Sequence, residues 1–252
     1  MDQLSTEVVT ETVSETMVEA RQEREYTTEA RGNVEEARSE APARLHPRLY
    51  SYFEDRYEWA SHYLVNGVRS REWDLLVDEP AESVFVLPFF TETFCRELIE
   101  EAEHARCWVS DRHANYPTTD MELHQIGFQH IYYDLLQRYV MPLCIYKWAI
   151  EGRGWDDMYT EMFLARYTPE TQGHLGLHHD YSHMTALLNL SDPAEYEGGG
   201  TWFWRQKTLV RSPRGYLTIH PGNISHRHGA RPTTRGKRYI VVAFMMNNNW
   251  RP

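Results

Sequence analysis

GLHHDYSH (176–183), EGGGTWFW (197–204), HPGNISHRHGA (220–230) and RGKRYIVVAF (235–244) decide how this chain is read. Side chains in a strand alternate between faces, so His178 and Asp180 share one face while His179 points to the other. A histidine and a carboxylate two residues apart are a ready pair of neighbouring metal ligands. A third ligand can come from a distant strand, and HPGNISHRHGA offers two, His226 and His228. These share strand parity, so alternation does not choose between them. Two histidines and one carboxylate on one side of a metal leave the other side open, an arrangement that suits Fe(II) handling substrate and oxygen.

Working outward, MYTEMFLARYT (158–168), HMTALLNL (183–190), TWFWRQK (201–207), GYLTIHPG (215–222) and RYIVVAFMM (238–246) all alternate with period two and are separated by Gly, Pro, Asn and Asp clusters. Gly198, Gly199 and Gly200 read as a turn or bulge into a strand, since no GK[ST] follows to make a phosphate loop. Trp202 and Trp204 share a face opposite Phe203. Packing is their default role, with one aromatic over a substrate cation as the alternative.

Upstream the period changes to 3.6. Leu49, Phe53, Tyr57, Ala60 and Leu64 fall on one face of a helix. VFVLPFF (84–90) reads as a short strand broken at Pro88. Thr91 or Thr93 then caps a helix with Phe94, Leu98, Ile99 and Ala102 inward and Glu97, Glu100, Glu101 and Glu103 in water. A further helix runs from Phe128 to about Met141, with Ile131, Leu135 and Tyr139 on one face, until Pro142 interrupts it. Helices followed by short strands imply an α+β, mainly β chain: a β-sandwich or jelly roll buttressed by N-terminal helices. The expected division is an acidic, disordered tail over 1–45, a helical linker over 46–82 that packs on the domain, and the catalytic domain over 83–252.

The chain has 252 residues, 41% of them apolar, enough for one good-sized core. Its formal charge of −11 argues against nucleic acid as a partner and favours a cationic one. Three cysteines, Cys95, Cys107 and Cys144, without CxxC spacing, imply neither zinc nor a disulfide framework. They read as small apolar residues. No apolar run is long enough to span a membrane, and the N-terminus lacks a basic start with an apolar stretch, so a cytoplasmic location is the expectation.

Arg238 opens its strand and shares a face with Ile240, Val242 and Phe244. A charge on an apolar, inward face needs an anionic partner. The planar guanidinium suits a carboxylate, for example the far end of a dicarboxylate co-substrate. The alternative is a strand-end arginine paired with an acidic neighbour or solvated.

FFTETFCRELIEEAEH, HQIGF, FLARYTP, HHDYS, YEGGG, SPRGY, HPGNISHRHG and PTTRGKRYIVVAF occur in the order and nearly the spacing of one family. From Val84 to Phe244 the chain resembles the C-terminal catalytic domain of the procollagen lysyl hydroxylases. These are Fe(II)- and 2-oxoglutarate-dependent dioxygenases that use O2 and L-ascorbate. The resemblance implies a double-stranded β-helix, metal ligands at His178, Asp180 and His228, and a 2-oxoglutarate-binding arginine at Arg238. It moves His226 and His179 behind the ligands or toward substrate, and places Tyr167 on a strand that supplies a co-substrate contact. Thr185, Asn189 and Tyr167 are candidates for the groups around the metal ligands, with strand packing and turn chemistry as the other reading of Thr185 and Asn189. His183, His174 and His124 are expected only to hydrogen-bond. The implied reaction is hydroxylation of a peptidyl side chain, foremost lysine in collagen-like or Lys-Gly sequences. The alternatives are a prolyl or small-molecule substrate, or a non-enzymatic jelly-roll binding module.

The sequence departs from the family in places. Neither the glycosyltransferase modules nor the secretory leader usual in the family is written in it, so collagen glucosylation is not expected, and an endoplasmic reticulum location, the family's own, is in question. Gly229 and Ala230 stand where the family has Glu and Gly, the loop before Tyr116 is short, and the ending is MMNNNWRP rather than Asp-Pro. These changes fall around the entrance and a dimer surface, which makes a homodimer a further expectation, and they spare the metal face.

Overall fold

In a computed structural model, which describes residues 43–113, 115–150, 155 and 158–248, the alternating segments become strands. The segment expected as a tail lies outside the described residues except for its last three. Four central strands are β4 (Tyr159–Tyr167), β5 (Met184–Asn189), β9 (Tyr216–Pro221) and β12 (Arg238–Met246). With β1 (Asp78–Ala81), β2 (Val84–Pro88) and β3 (Thr119–Glu122) they form an antiparallel sheet of order β1-β2-β9-β5-β12-β4-β3. The neighbours are not consecutive in sequence because the chain leaves the sheet between them. On those excursions β7 (Thr201–Phe203), β8 (Thr208–Val210) and β10 (His228–Ala230) make a second sheet of order β10-β7-β8. The remaining β6 (Glu197–Gly198) pairs with β11 (Thr233–Arg235). This is the expected jelly roll with helices beside it.

Cross-strand partners share a face, so the register divides the large sheet in two. Leu164, Ala186, Leu188, Leu217, Val241, Ala243 and Met245 join the core that the helices cover. Phe163, Ala165, Tyr167, Leu187, Ile240 and Val242 form a second apolar cluster on the opposite face. Every residue of β5 is buried, the consequence of a central strand covered on both sides.

The helical half differs from its expectation in instructive places. The pattern over 49–64 predicts one helix, but a 3₁₀ segment, Pro47–Phe53, gives way to α1, Arg56–Tyr63. Asp55 starts α1 by accepting from the Glu58 N–H, and this break rotates the buried face. Trp59 and Tyr63 are fully buried, whereas Phe53 and Tyr57, expected inside, are 52% and 80% exposed. Two single-turn helices follow, α2 (Asn66–Arg69) and α3 (Trp73–Leu76). Thr91 caps α4, Glu92–Ala105, by accepting from the Phe94 N–H. Its Glu101, expected in water, is buried and accepts from the His46 N–H at 2.6 Å. Pro142 does not end the next helix. α5 (Gln129–Leu135) passes into a π turn at Leu136–Val140 and resumes as α6, Met141–Trp148, with the proline in its first turn, where a missing N–H is tolerated. TWFWRQK is strand only through Phe203, and 204–207 turn.

Cys95 and Cys144 are buried, Cys107 is half-buried, and all three are free. Among the described residues no helix is long and apolar enough to cross a membrane. Phe94 is the aromatic centre of the helical side: its ring stacks on Phe90 at 3.7 Å and meets Trp59, Tyr63 and Phe128 within 6.0 Å. Phe94→Ala should therefore cost about 3–5 kcal/mol, read from the midpoint of urea unfolding at an unchanged slope.

Candidate metal centre

His178 and His228 exchange both backbone hydrogen bonds, His178 N–H to the His228 carbonyl and the reverse, each 2.8 Å. The stretch 177–183 is otherwise bends rather than a regular strand. The expected alternation survives through this single bridge and a third bond, Asp180 N–H to the Gly222 carbonyl at 2.8 Å. Asp180 is buried and His179 exposed.

His178 Nε2 lies 3.3 Å from Asp180 Oδ1, and His228 Nε2 lies 3.7 Å from Asp180 Oδ2. One ligand atom from each of the three side chains can be chosen with all pairs within 4.8 Å. His178 Nδ1 is 2.8 Å from the Gly176 carbonyl and His228 Nδ1 is 2.9 Å from the His226 carbonyl. A carbonyl only accepts, so both Nδ1 atoms carry protons, and each neutral ring then presents the Nε2 lone pair. Two lone pairs and a carboxylate facing one another are a set that a cation completes.

Burial pushes the Asp180 carboxyl up, but the His228 and His178 rings outweigh it and hold the group below the usual carboxylate range. Burial lowers His228 and keeps its imidazole neutral. His178 is lowered by burial and raised by more through its contact with Asp180. An ionised carboxylate and a neutral buried imidazole are the forms that bind metal.

The two candidates for the distal ligand separate because a 3₁₀ turn, Ile224–His226, precedes β10 and removes the shared parity. His226 Nε2 sits 3.0 Å from the Glu82 carbonyl and its Nδ1 2.8 Å from the Ser225 hydroxyl, so both nitrogens are engaged away from Asp180. Pattern reading missed His220. It is fully buried on β9 with its ring 4.6 Å from that of His228, and burial followed by the nearby His228 lowers it to about 3. The signal was available in GYLTIHPG, where Tyr216, Thr218 and His220 share one face.

The face formed by His178, Asp180 and His228 opens into a cavity walled by Phe163, Tyr167, Leu187, Ile240 and Phe244, with Arg238 also lining it. Arg238 is only 5% exposed. Its Nη2 is 3.4 Å from the Thr201 hydroxyl, while Nε and Nη1 are buried without a partner. Among the described residues no carboxylate pairs with it. A buried guanidinium with two idle donors is costly unless an anion arrives. Tyr167 lies under this group, ring centroid 5.5 Å from the guanidinium carbon. Thr185 gives its hydroxyl hydrogen to Asp180 Oδ2 at 2.5 Å. Asn189 gives its amide hydrogens to the Ser191, Ser212 and Pro213 carbonyls, leaving Oδ1 unpartnered beside a second, smaller cavity that Arg238 also lines.

Residues 40–150 match the family model described as the OGFOD2-like domain. The chain is 36% identical over 213 residues to the multifunctional procollagen lysine hydroxylase and glycosyltransferase LH3 of Rattus norvegicus, covering 80% of this chain. It is 34% identical over 212 residues to procollagen-lysine,2-oxoglutarate 5-dioxygenase 1 of Gallus gallus, again covering 80% of this chain. By sequence the chain is a relative of the procollagen lysyl hydroxylases. It spans 28% and 29% of the lengths of those two lysyl hydroxylases. The crystal structure of the non-heme alpha ketoglutarate dependent epimerase SnoN, from nogalamycin biosynthesis, superposes with a TM-score of 0.50 at 15% identity, over 68% of this chain and 80% of that one. That likeness establishes the shared fold.

After His228, Gly229 brings the backbone close: a Cβ there would lie 2.8 Å from the Leu175 carbonyl oxygen and 2.9 Å from that of Gly176. Gly222 is equally confined, since a Cβ would meet Ser182 Oγ at 2.0 Å and its carbonyl oxygen at 2.4 Å. Gly222→Ala should thus dislodge the 180–183 segment and lower both the melting temperature and Co(II) affinity. Gly176→Ala, whose methyl would meet nothing within 4 Å, should leave both near wild type.

Proposed function

We propose that this domain is an Fe(II)- and 2-oxoglutarate-dependent dioxygenase that hydroxylates a peptidyl side chain, foremost lysine, with ascorbate as the accessory reductant. The observation that carries the reading is the convergence of His178, Asp180 and His228 on a cavity that is also lined by Arg238, a buried arginine that no carboxylate pairs among the described residues. The overall change is C–H plus 2-oxoglutarate plus O2 to C–OH plus succinate plus CO2. Iron, when bound, supplies the activation of O2.

The protein's share is binding, orientation and exclusion of water. His178, Asp180 and His228 would hold the metal through two imidazole nitrogens and one carboxylate. Arg238 would take the far carboxylate of 2-oxoglutarate by pairing one of its unpartnered donors, Nε or Nη1, with the neighbouring Nη2, in a buried site where a bidentate charge-assisted pair is strongest. Tyr167 backs that guanidinium. Arg235 is a poor substitute, being exposed and paired with Glu197 at 2.6 Å, and Lys237 is exposed.

Phe163 and Phe244, with ring centroids 5.7 Å apart, give the cavity an apolar wall suited to an alkyl stem. Arg112 lies over Phe163 at 4.5 Å with Asp120 at 2.6 Å, Glu161 at 2.8 Å and Glu122 at 3.7 Å from its nitrogens. Three carboxylates around one arginine leave negative charge in excess there. This favours a cationic substrate group, as does the overall acidity of the chain. A binding module without catalysis has no use for so closely matched a donor set.

Asp180→Ala should abolish turnover, and near-native activity in that variant would remove the metal assignment. Arg238→Ala should raise the 2-oxoglutarate concentration needed for half-maximal rate, with folding intact by circular dichroism. Mass spectrometry of Lys-Gly and Pro-Gly peptides after incubation with Fe(II), 2-oxoglutarate and ascorbate should show addition of one oxygen to the lysine peptide. Addition to the proline peptide alone would reassign the substrate.

A further inference from the structure

Two hydroxyls stand behind the Asp180 carboxylate, and counting hydrogens settles which way each one points. Thr185 has one hydroxyl hydrogen and gives it to Asp180 Oδ2 at 2.5 Å. Ser182 Oγ lies 2.9 Å from Thr185 Oγ1, so that contact must be donated by Ser182. The result is a directed chain, Ser182 to Thr185 to Asp180 Oδ2. Thr185 is fully buried in central β5, with His220 as its partner on β9 and Phe244 as its partner on β12, so its position is set by the sheet rather than by a loop. Ser182 is held by Gly222, which gives its N–H to the His183 carbonyl at 3.1 Å and accepts from Asp180 N–H at 2.8 Å. The other carboxylate oxygen, Oδ1, has no hydroxyl donor among the described residues and lies 3.3 Å from His178 Nε2.

We propose that Thr185 is a positioning residue for the metal centre: its hydroxyl, supported by Ser182, holds Asp180 Oδ2 and leaves Oδ1 as the single oxygen offered to the metal. This rests on the reading of His178, Asp180 and His228 as metal ligands. A carboxylate free to turn about its last bond can offer both oxygens and fill a position that the open side of the metal needs for co-substrate and oxygen. A donor fixed on one oxygen prevents that. Neither hydroxyl is needed to touch 2-oxoglutarate or substrate.

Co(II) is the probe, because its visible bands report coordination geometry and need no oxygen. The full chain is titrated anaerobically as wild type, Thr185→Val, Thr185→Ser, Ser182→Ala and Asp180→Ala, with melting temperatures taken on the metal-free proteins. Thr185→Val keeps the shape of the side chain and removes the donor. It should bind Co(II) about 10–100-fold more weakly and with a changed visible spectrum. Thr185→Ser should restore the wild-type spectrum and most of the affinity, which a purely structural role for the threonine would not predict. Ser182→Ala should shift affinity in the same direction by less, and it carries the test if Thr185→Val does not fold. Wild-type protein that binds Co(II) in an Asp180-dependent way, with Thr185→Val or, failing that, Ser182→Ala matching it in affinity and spectrum, would overturn this proposal alone. Wild-type protein that binds no Co(II) would overturn the metal reading itself.

Discussion

The pair of backbone hydrogen bonds between His178 and His228 is the constraint on which the site depends. It ties an irregular segment, 176–183, to the edge of the smaller sheet, and in doing so sets two imidazoles side by side with ring centroids 4.5 Å apart. The backbone carbonyls of Gly176 and His226 then take the Nδ1 protons, so both rings turn the same nitrogen inward. Orientation, tautomer and spacing of the histidines follow from one bridge and two carbonyls. Asp180 is brought to them by Gly222, a residue whose lack of a side chain is what lets the two loops approach.

The large sheet supplies the rest through its two faces. One face carries small and aliphatic side chains into the helical core. The other carries Tyr167, Ile240, Val242 and Arg238 into the cavity. A shift of one residue in β12 would send Arg238 to the helical side and Tyr239 to the cavity, so the long pairing of β12 with β4 and β5 protects function as well as stability. The helical core, built around Trp59, Phe90, Phe94 and Phe128, holds the sheet from behind. Its cost in buried polar groups is met locally, as where Trp59 Nε1–H reaches the Leu49 carbonyl at 3.0 Å.

Much of this was legible in the sequence because period-two alternation is a property of the backbone alone. The strands RYIVVAFMM and MTALLN, the placement of Arg238 on an inward face, and the opposition of His179 to His178 and Asp180 needed nothing else. The helical segment 47–63 was harder. Leu49, Phe53, Tyr57, Ala60 and Leu64 make a good stripe for a continuous helix, but Asp55 is also a good cap, and capping prevailed over periodicity. Pro142 misled in the same way, because a π turn can absorb the missing hydrogen bond.

What the sequence determined by itself was the class of fold, the residue types of the site and the family resemblance, since these rest on local alternation and on the order of short motifs. The tertiary structure decided which of His226 and His228 turns toward Asp180, that His220 lies buried against the site, and that the hydroxyl of Thr185 points at Asp180 Oδ2. Those outcomes depend on how segments far apart in the chain meet: a 3₁₀ turn that shifts one histidine out of register, a register between β5 and β9, and the gap left by a glycine. Each is a distance between non-neighbours, and no periodicity along a single chain encodes it.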